Sequence, residues 1–166
     1  MEHARELLRL IEANRQFLGE WLPWVNSNST LAETESFIRS AKEKFANNAG
    51  YQAGIWYQGK LVGLISLHNM NWTHSNVSMG YWLGEKYNGQ GIMTAACETL
   101  ISYVFTELKL HRMEIRCAEG NERSRAIAAR LGFTQEGVIR EAEWLYDHYV
   151  NHIVYGVLAR EWKIAR

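Results

Sequence analysis

The 166-residue chain is expected to fold as an α+β unit: a mixed, mostly antiparallel sheet of six to seven strands with about four flanking helices. Three observations predict this. Two strand-like runs, 51–57 and 60–68, meet at Gln58-Gly59, a hairpin turn pair. A strand at 77–83, a long amphipathic run from Ile92 and a strand at 111–117 make a strand-helix-strand crossover. That order makes the two strands parallel and the crossover right-handed. The chain then closes with two further strand runs, 133–140 and about 148–158.

Composition narrows the class. The chain is 47% hydrophobic and 22% charged, which suits one globular domain over residues 1–166 with a substantial core. Eighteen basic and eighteen acidic residues cancel, so nothing points to general nucleic-acid or anionic-membrane binding. The opening segment is too charged for a signal peptide, and no apolar run approaches transmembrane length. Cys97 and Cys117 read as reduced thiols, which points to the cytoplasm. Neither cysteine has a metal-type partner at short spacing. His148 and His152, four apart on a strand, would stand about 13 Å apart at about 3.3 Å per residue, too far to share a metal. No metal is expected.

In chain order, Ala4, Leu7, Leu8 and Ile11 follow the i, i+3, i+4, i+7 rule of a helix. Trp21 and Trp24 flank Pro23 beside a polar turn at 26–29. They form either a core corner or a wall facing a substrate. A second helix starts at Thr30, where Glu33 completes a capping box, and Phe37, Ile38, Ala41 and Phe45 are expected to form its buried face. His68 lies at the exit of the second strand and reads as either structural or functional. Gly80 interrupts the third strand and is a candidate bulge, which would open the sheet into a slot and free an N–H.

The third strand alternates, with Val77, Met79, Tyr81 and Leu83 on one face. Gly89 and Gly91 then flank Gln90 just before a helix whose expected buried face is Ile92, Ala96, Leu100, Ile101, Val104 and Leu108. Glycines at a strand-to-helix turn let backbone N–H groups converge, and the unpaired amides and dipole of a first helical turn favour an anion. The stretch therefore reads as a phosphate or pyrophosphate cradle. A Walker loop would need Lys-Ser/Thr after Gly91, where Ile92 and Met93 stand. A dinucleotide fingerprint would need glycine at Thr94. Further on, Asn121 reads as an N-cap and Gly132 as the glycine ending a short helix.

Two motifs carry a resemblance to the GCN5-related N-acetyltransferases. The first is Lys86-Tyr87-Asn88-Gly89-Gln90-Gly91, and the second is Asn121-Glu122-Arg123-Ser124 followed by a short helix and Leu131-Gly132-Phe133. The chain is most similar to the RimJ/RimL-type ribosomal-protein N-terminal acetyltransferases. They share Asn14-Arg15, Trp21-Leu22-Pro23-Trp24, Gly80-Tyr81-Trp82-Leu83 and Gly89-Gln90-Gly91-Ile92-Met93-Thr94 over nearly the whole chain. It departs from the family in three places. Lys86 stands where the motif has Gln or Arg. Asn151 and His152 stand where a late strand carries an acidic residue. The strand before the first helix is missing, through loss of an edge strand or truncation.

The resemblance implies transfer of acetyl from acetyl-CoA to a primary amine, by direct attack in a ternary complex. It implies a splayed parallel pair in the middle of the sheet, with Tyr81, Trp82, Leu83, Asn88, Gly89, Gln90, Gly91, Ile92, Met93, Thr94 and Asn121 holding acetyl-CoA. Trp21, Trp24 and His68 would face the amine. Glu143, nineteen positions after Ser124, matches the glutamate proposed as base in RimL-type enzymes, with Glu141 or an ordered water as competitors. Ser124 would return a proton to the thiolate, and an N–H near residues 80–82 would polarise the carbonyl. The acceptor is expected to be a protein N-terminus, whose amine ionises near about 7.7–8.0 against about 10.4 for lysine. Small-amine acetylation and a non-catalytic acyl-CoA-binding module are the alternatives. A homodimer is expected from seven tryptophans and eight tyrosines.

Overall fold

The structure is a computed structural model and describes residues 3–27 and 29–162. Helices α1 (Ala4–Ala13) and α2 (Arg15–Gly19) lead through a 3-10 turn at Pro23–Asn26 to α3 (Leu31–Ala46). Strands β1 (Tyr51–Tyr57), β2 (Lys60–Asn71) and β3 (Asn76–Leu83) follow. The chain then runs through α4 (Ile92–Thr106), β4 (Arg112–Ala118), α5 (Glu122–Arg130), β5 (Thr134–Leu145) and β6 (His148–Leu158). The strands form one sheet in the order β1-β2-β3-β4-β6-β5. Among the described residues only β3 and β4 run parallel. This is the expected mixed α+β architecture, with the parallel pair in the middle. Asn28, part of the polar turn read from sequence, lies outside the described residues.

Local chemistry explains most boundaries. Thr30 accepts the Glu33 N–H at 3.2 Å and Glu33 accepts the Thr30 N–H at 2.9 Å, so two free amides of the α3 terminus are satisfied reciprocally. The β1–β2 hairpin turns on Gln58 (φ 50) and Gly59 (φ 74), the left-handed pair that matches strand twist. Asn121 caps α5 by accepting the Ser124 N–H at 3.1 Å. At the other end of α5, Gly132 takes φ 76.

The sheet separates two apolar layers. On one face Val77, Met79 and Leu83 of β3 join Met113, Ile115 and Cys117 of β4 and the buried side of α4. On the other, Leu61, Leu64 and Trp82 meet Leu7, Ile11, Leu18 and Val25. In α4 the deep positions are Met93, Cys97, Leu100, Ile101 and Val104. Ile92 and Ala96, expected there, are half-buried, and Leu108 lies past the helix end. Met93 and Cys97 take the inward positions, so the buried stripe is rotated by one residue from the expected one.

Three further expectations are corrected. Phe45 is exposed and Phe37, Ile38 and Ala41 only half-buried, because α3 lies against α1 and the edge strand β1 rather than over the sheet centre. Gly80 is not a bulge: Ser66↔Gly80 and Ile65↔Tyr81 are in register, and the irregularity between β2 and β3 falls at His68–Asn71. A side chain at Gly80 would instead meet His68 Cε1 at 2.8 Å. Residues 141–145, which lie between the two expected strand runs 133–140 and about 148–158, belong to β5, which a register shift between Ile139 and Glu143 carries on to Leu145.

Candidate active site

The sheet opens between β3 and β4. Their pairing consists of Asn76↔Arg112, Val77↔Met113 and Ser78↔Glu114, and ends there. From Met79 and Ile115 onward each strand runs free of the other, so the wedge widens toward both C-terminal ends. That is where ligands settle in sheets with parallel strands. The cause is the missing register, not a bend at Gly80.

At the mouth of this wedge stands the β3–α4 turn. Gly89 and Gly91 are exposed at φ 77 and 76, with nothing within 4 Å of where a Cβ would sit. Gly91 is the N-cap of α4 and offers no side-chain cap, so the first-turn amides of Ile92, Met93 and Thr94 keep no local acceptor. The neighbouring side chains brace the turn. Asn88 Nδ2 donates to Gly84 O and Glu85 O at 3.1 and 3.0 Å, and Gln90 Nε2 donates to Lys86 O at 2.8 Å. Asn14 Oδ1 accepts the Glu85 N–H at 2.8 Å, tying the turn to the α1–α2 junction. From α5, Arg130 reaches the Thr94 hydroxyl at 3.2 Å and brings a cation beside the free amides.

Inward from this turn lies a cleft of about 590 Å³ lined by Phe17, Leu18, Trp21 and Leu22, by Tyr81, Trp82 and Leu83, by Asn88 and Met93, and by Asn121, Arg123, Ser124 and Ile127. Eight of the residues singled out in the sequence therefore share one cavity: Trp21, Tyr81, Trp82, Leu83, Asn88, Met93, Asn121 and Ser124. Gly89, Gln90, Gly91, Ile92 and Thr94 adjoin the lining residues Asn88 and Met93 in the chain but do not line the cavity themselves. The Arg123 guanidinium lies 4.9 Å over the Phe17 ring, holding the α2 wall to α5.

Ser124 does not spend its hydroxyl on the helix, because Asn121 already caps α5. Its Oγ donates to Tyr81 Oη at 3.2 Å, and Tyr81 Oη donates to Ser124 O at 3.1 Å. Burial pushes the Tyr81 phenol well above the ordinary tyrosine range, so it stays protonated. Burial likewise raises the Cys117 thiol and pushes Cys97 up to about 12, which makes both inert as nucleophiles.

Three singled-out residues stand apart. Trp24 packs in the second apolar layer, 6.4 Å from Phe37 and 6.2 Å from Trp82 between ring centres, and so is the core corner. Trp21 is the cleft wall. His68 lies in a separate depression with Lys44, Tyr51 and Met70, its imidazole held below the ordinary range by partial burial and then by Lys44. Neither Trp24 nor His68 lines the cleft. Glu143 does not line it either; it lies on β5, where its Oε2 is 2.9 Å from His152 Nε2. Asn14 and His152 carry no site role on sequence alone and Arg130 is not singled out there, since a lone polar residue at a helix junction or strand end has no spacing signal.

The acetyltransferase (GNAT) domain family matches residues 1–134. The chain belongs to this family. Among relatives of this acetyltransferase, YdaF of Bacillus subtilis (strain 168), a candidate ribosomal N-acetyltransferase, is 40% identical over 162 residues. The match covers 96% of this chain and 88% of that protein. The ribosomal-protein-serine acetyltransferase of Escherichia coli (strain K12) is 29% identical over 147 residues, covering 89% and 82%. Among solved structures, RimL, a ribosomal α-N-protein acetyltransferase in complex with coenzyme A, superposes with a TM-score of 0.91 at 26% identity, covering 95% and 89%. The microcin self-immunity acetyltransferase MccE, in complex with acetyl-CoA and AMP, gives 0.90 at 29%, covering 95% and 87%. Among the described residues no group of three or more His, Cys, Asp or Glu could hold a metal ion, and no helix is long and apolar enough to cross a membrane.

Proposed function

We propose that this acetyltransferase moves an acetyl group from acetyl-CoA to the N-terminal α-amine of a ribosomal protein, by direct attack in a ternary complex. The observation that carries the reading is the open wedge between β3 and β4, lying directly inward of the exposed Gly89-Gln90-Gly91 turn. A diphosphate fits the free amides of residues 89–94, with Arg130 beside them. An amide-rich arm fits strand edges that have lost their partners. RimL and MccE, alike in fold over 95% of this chain, carry coenzyme A and acetyl-CoA in their structures.

Acetyl-CoA supplies an activated thioester; the chain's own groups do the rest. Glu143 takes a proton from the incoming ammonium so that a neutral amine attacks the carbonyl carbon. An unpaired N–H of β3 at residues 80–82 accommodates the charge that develops on the carbonyl oxygen. Ser124 hands its hydroxyl proton to the departing thiolate and regains one from the newly acylated nitrogen, while Glu143 releases the proton it took to solvent. The Tyr81 phenol stays protonated and holds the Ser124 hydroxyl in place. The fit of an α-amine to this site is chemical: its ionisation near about 8 asks little of a carboxylate base. Two relatives are named for acetylating a ribosomal-protein serine and the ribosomal protein uS5 alanine. We further propose that the reaction takes place in the cytoplasm, within a single catalytic domain, and that a second copy docks on the β5–β6 hairpin.

A small-amine acceptor is the second reading, because spermidine N(1)-acetyltransferase of Escherichia coli is 28% identical over 95 residues. A thiol-release assay with acetyl-CoA separates the two. Free peptides beginning with Ser or Ala should give turnover, whereas spermidine and aminoglycosides should give little. Turnover confined to spermidine would replace the first reading with the second. Binding of acetyl-CoA without release to any amine would leave only a non-catalytic module.

A further inference from the structure

We propose that His152 is a positioning residue for acetyl transfer: it fixes the Glu143 carboxylate, and an Asn151-clasped bulge in β5 brings the two together. The inference rests on the reading of Glu143 as base.

The bulge is visible in the register. β5 and β6 pair as Ile139↔His152 and then as Glu143↔Val150. Three residues of β5, numbers 140–142, thus stand against Asn151 alone. Had the first register continued, Glu143 would face His148, four residues from His152, or about 13 Å along the strand. The two added residues bring it opposite Val150, two residues from His152 and on the same face. Side chains span what remains, and Nε2 of His152 meets Oε2 of Glu143 at 2.9 Å.

Asn151 holds the distortion in place. Its Oδ1 accepts the N–H of Glu141, which sits at φ 47, at 2.9 Å. Its Nδ2 donates to Glu119 Oε2 at 3.0 Å, and its carbonyl accepts the Glu119 N–H at 2.9 Å. Glu119 follows β4, and Arg125 Nη1 donates to its carbonyl at 3.0 Å, so the clasp runs from α5 to the bulge. A left-handed non-glycine residue of this kind persists only when its surroundings over-determine it. Bulges beside active sites re-aim a side chain in this way.

The same geometry chooses between the two candidate bases. Glu141 lies on the bulge, exposed, in a shallow depression with Val138, Ile139 and Arg140. Glu143 alone has a partner that fixes it, and His152 itself stands beside Ala118, at the end of β4 where the wedge is open. With Oε2 engaged by the Nε2–H tautomer, Oε1 is left for the amine.

The test uses the full chain, acetyl-CoA and a free heptapeptide beginning with Ser, with Ala as second probe. His152→Leu should lower kcat by about 10- to 100-fold with KM for acetyl-CoA unchanged. His152→Gln, whose amide nitrogen reaches the Nε2 position, should restore most of the loss. In a Glu143→Gln background His152→Leu should add nothing. In alkaline buffer, ¹⁵N spectra should show His152 as the Nε2–H tautomer, with a shift that moves in Glu143→Gln. An unchanged kcat in His152→Leu, no rescue by Gln, or an equal fall in the Glu143→Gln background overturns the proposal. If no amine gives thiol release, the base reading fails by itself. The spectra then decide the contact: an Nδ1–H tautomer, or a shift indifferent to Glu143→Gln, removes it.

Discussion

Ser124 and Glu143 can be tested at the level of single atoms because neither carries the local fold. The N-cap of α5 is Asn121, which takes the Ser124 main-chain N–H and not its hydroxyl. Ser124→Ala therefore keeps the helix and removes one donor to Tyr81. We expect melting within about 0.5 kcal/mol of the parent and thiol release slowed by about 10²-fold or less. Asn121→Ala should do the reverse first, costing about 0.5–2 kcal/mol of stability through the lost cap. Glu143→Gln should slow release by about 10²–10⁴-fold while acetyl-CoA still binds. Equal rates for parent and Glu143→Gln would remove the carboxylate from the mechanism. Ser124 and the cap were both legible from the Asn-x-x-Ser pattern, whereas the Tyr81–Ser124 link was not. It joins residues 43 positions apart and exists only once β3 and α5 flank the same cleft.

The β3–α4 turn makes its prediction as an element. Gly91 and Gly59 share a left-handed backbone, φ 76 and 74, and both have open space where a Cβ would go. Substituting alanine at either should cost about 1–2 kcal/mol of backbone strain. Only at Gly91 does the new methyl stand in front of amides meant for an anion. Gly91→Ala and Gly59→Ala should thus melt alike, while only the first raises KM for acetyl-CoA, by tenfold or more. Matching KM values would show that the turn is not the diphosphate cradle. This element was readable because its information is local: alternation, then two glycines, then a 3.6-residue period. The opening of the sheet was anticipated for a wrong reason, since loss of register between β3 and β4 is a property of two distant strands. The bulge in β5 was invisible for a like cause. Nothing in Arg140-Glu141-Ala142 announces it; it is set by Asn151 on the next strand and Glu119 beyond that.

Among the described residues, large apolar side chains are exposed at both edges of the sheet, Phe45, Trp56 and Tyr57 near β1 and a second group on the β5–β6 hairpin, and the second group is the face proposed above for a second copy. β5 is an outer strand of the sheet, and its hairpin with β6 exposes Trp144 (54%), Tyr146 (49%) and Tyr149 (58%). Trp144 and Tyr149 pair across the strands at 4.8 Å, so the rings form one contiguous surface beside an unpaired strand edge. Sheets seldom leave such an edge bare, and clustered exposed aromatic rings mark contact surfaces. Tyr146 also bonds to Gly19 O and accepts from Asn26 Nδ2, so the hairpin tip is anchored to the α2 wall of the cleft. Docking of a second copy there would stiffen the same hairpin that carries Glu143 and His152. Sedimentation should therefore find a species of twice 19.2 kDa, and Trp144→Ser with Tyr149→Ser should yield a folded monomer. That monomer should lose kcat more than affinity for acetyl-CoA, because the hairpin carries Glu143 and His152 but none of residues 89–94. A parent protein that sediments only at 19.2 kDa across its working concentrations would reject the dimer and leave the hairpin rings to the acceptor instead.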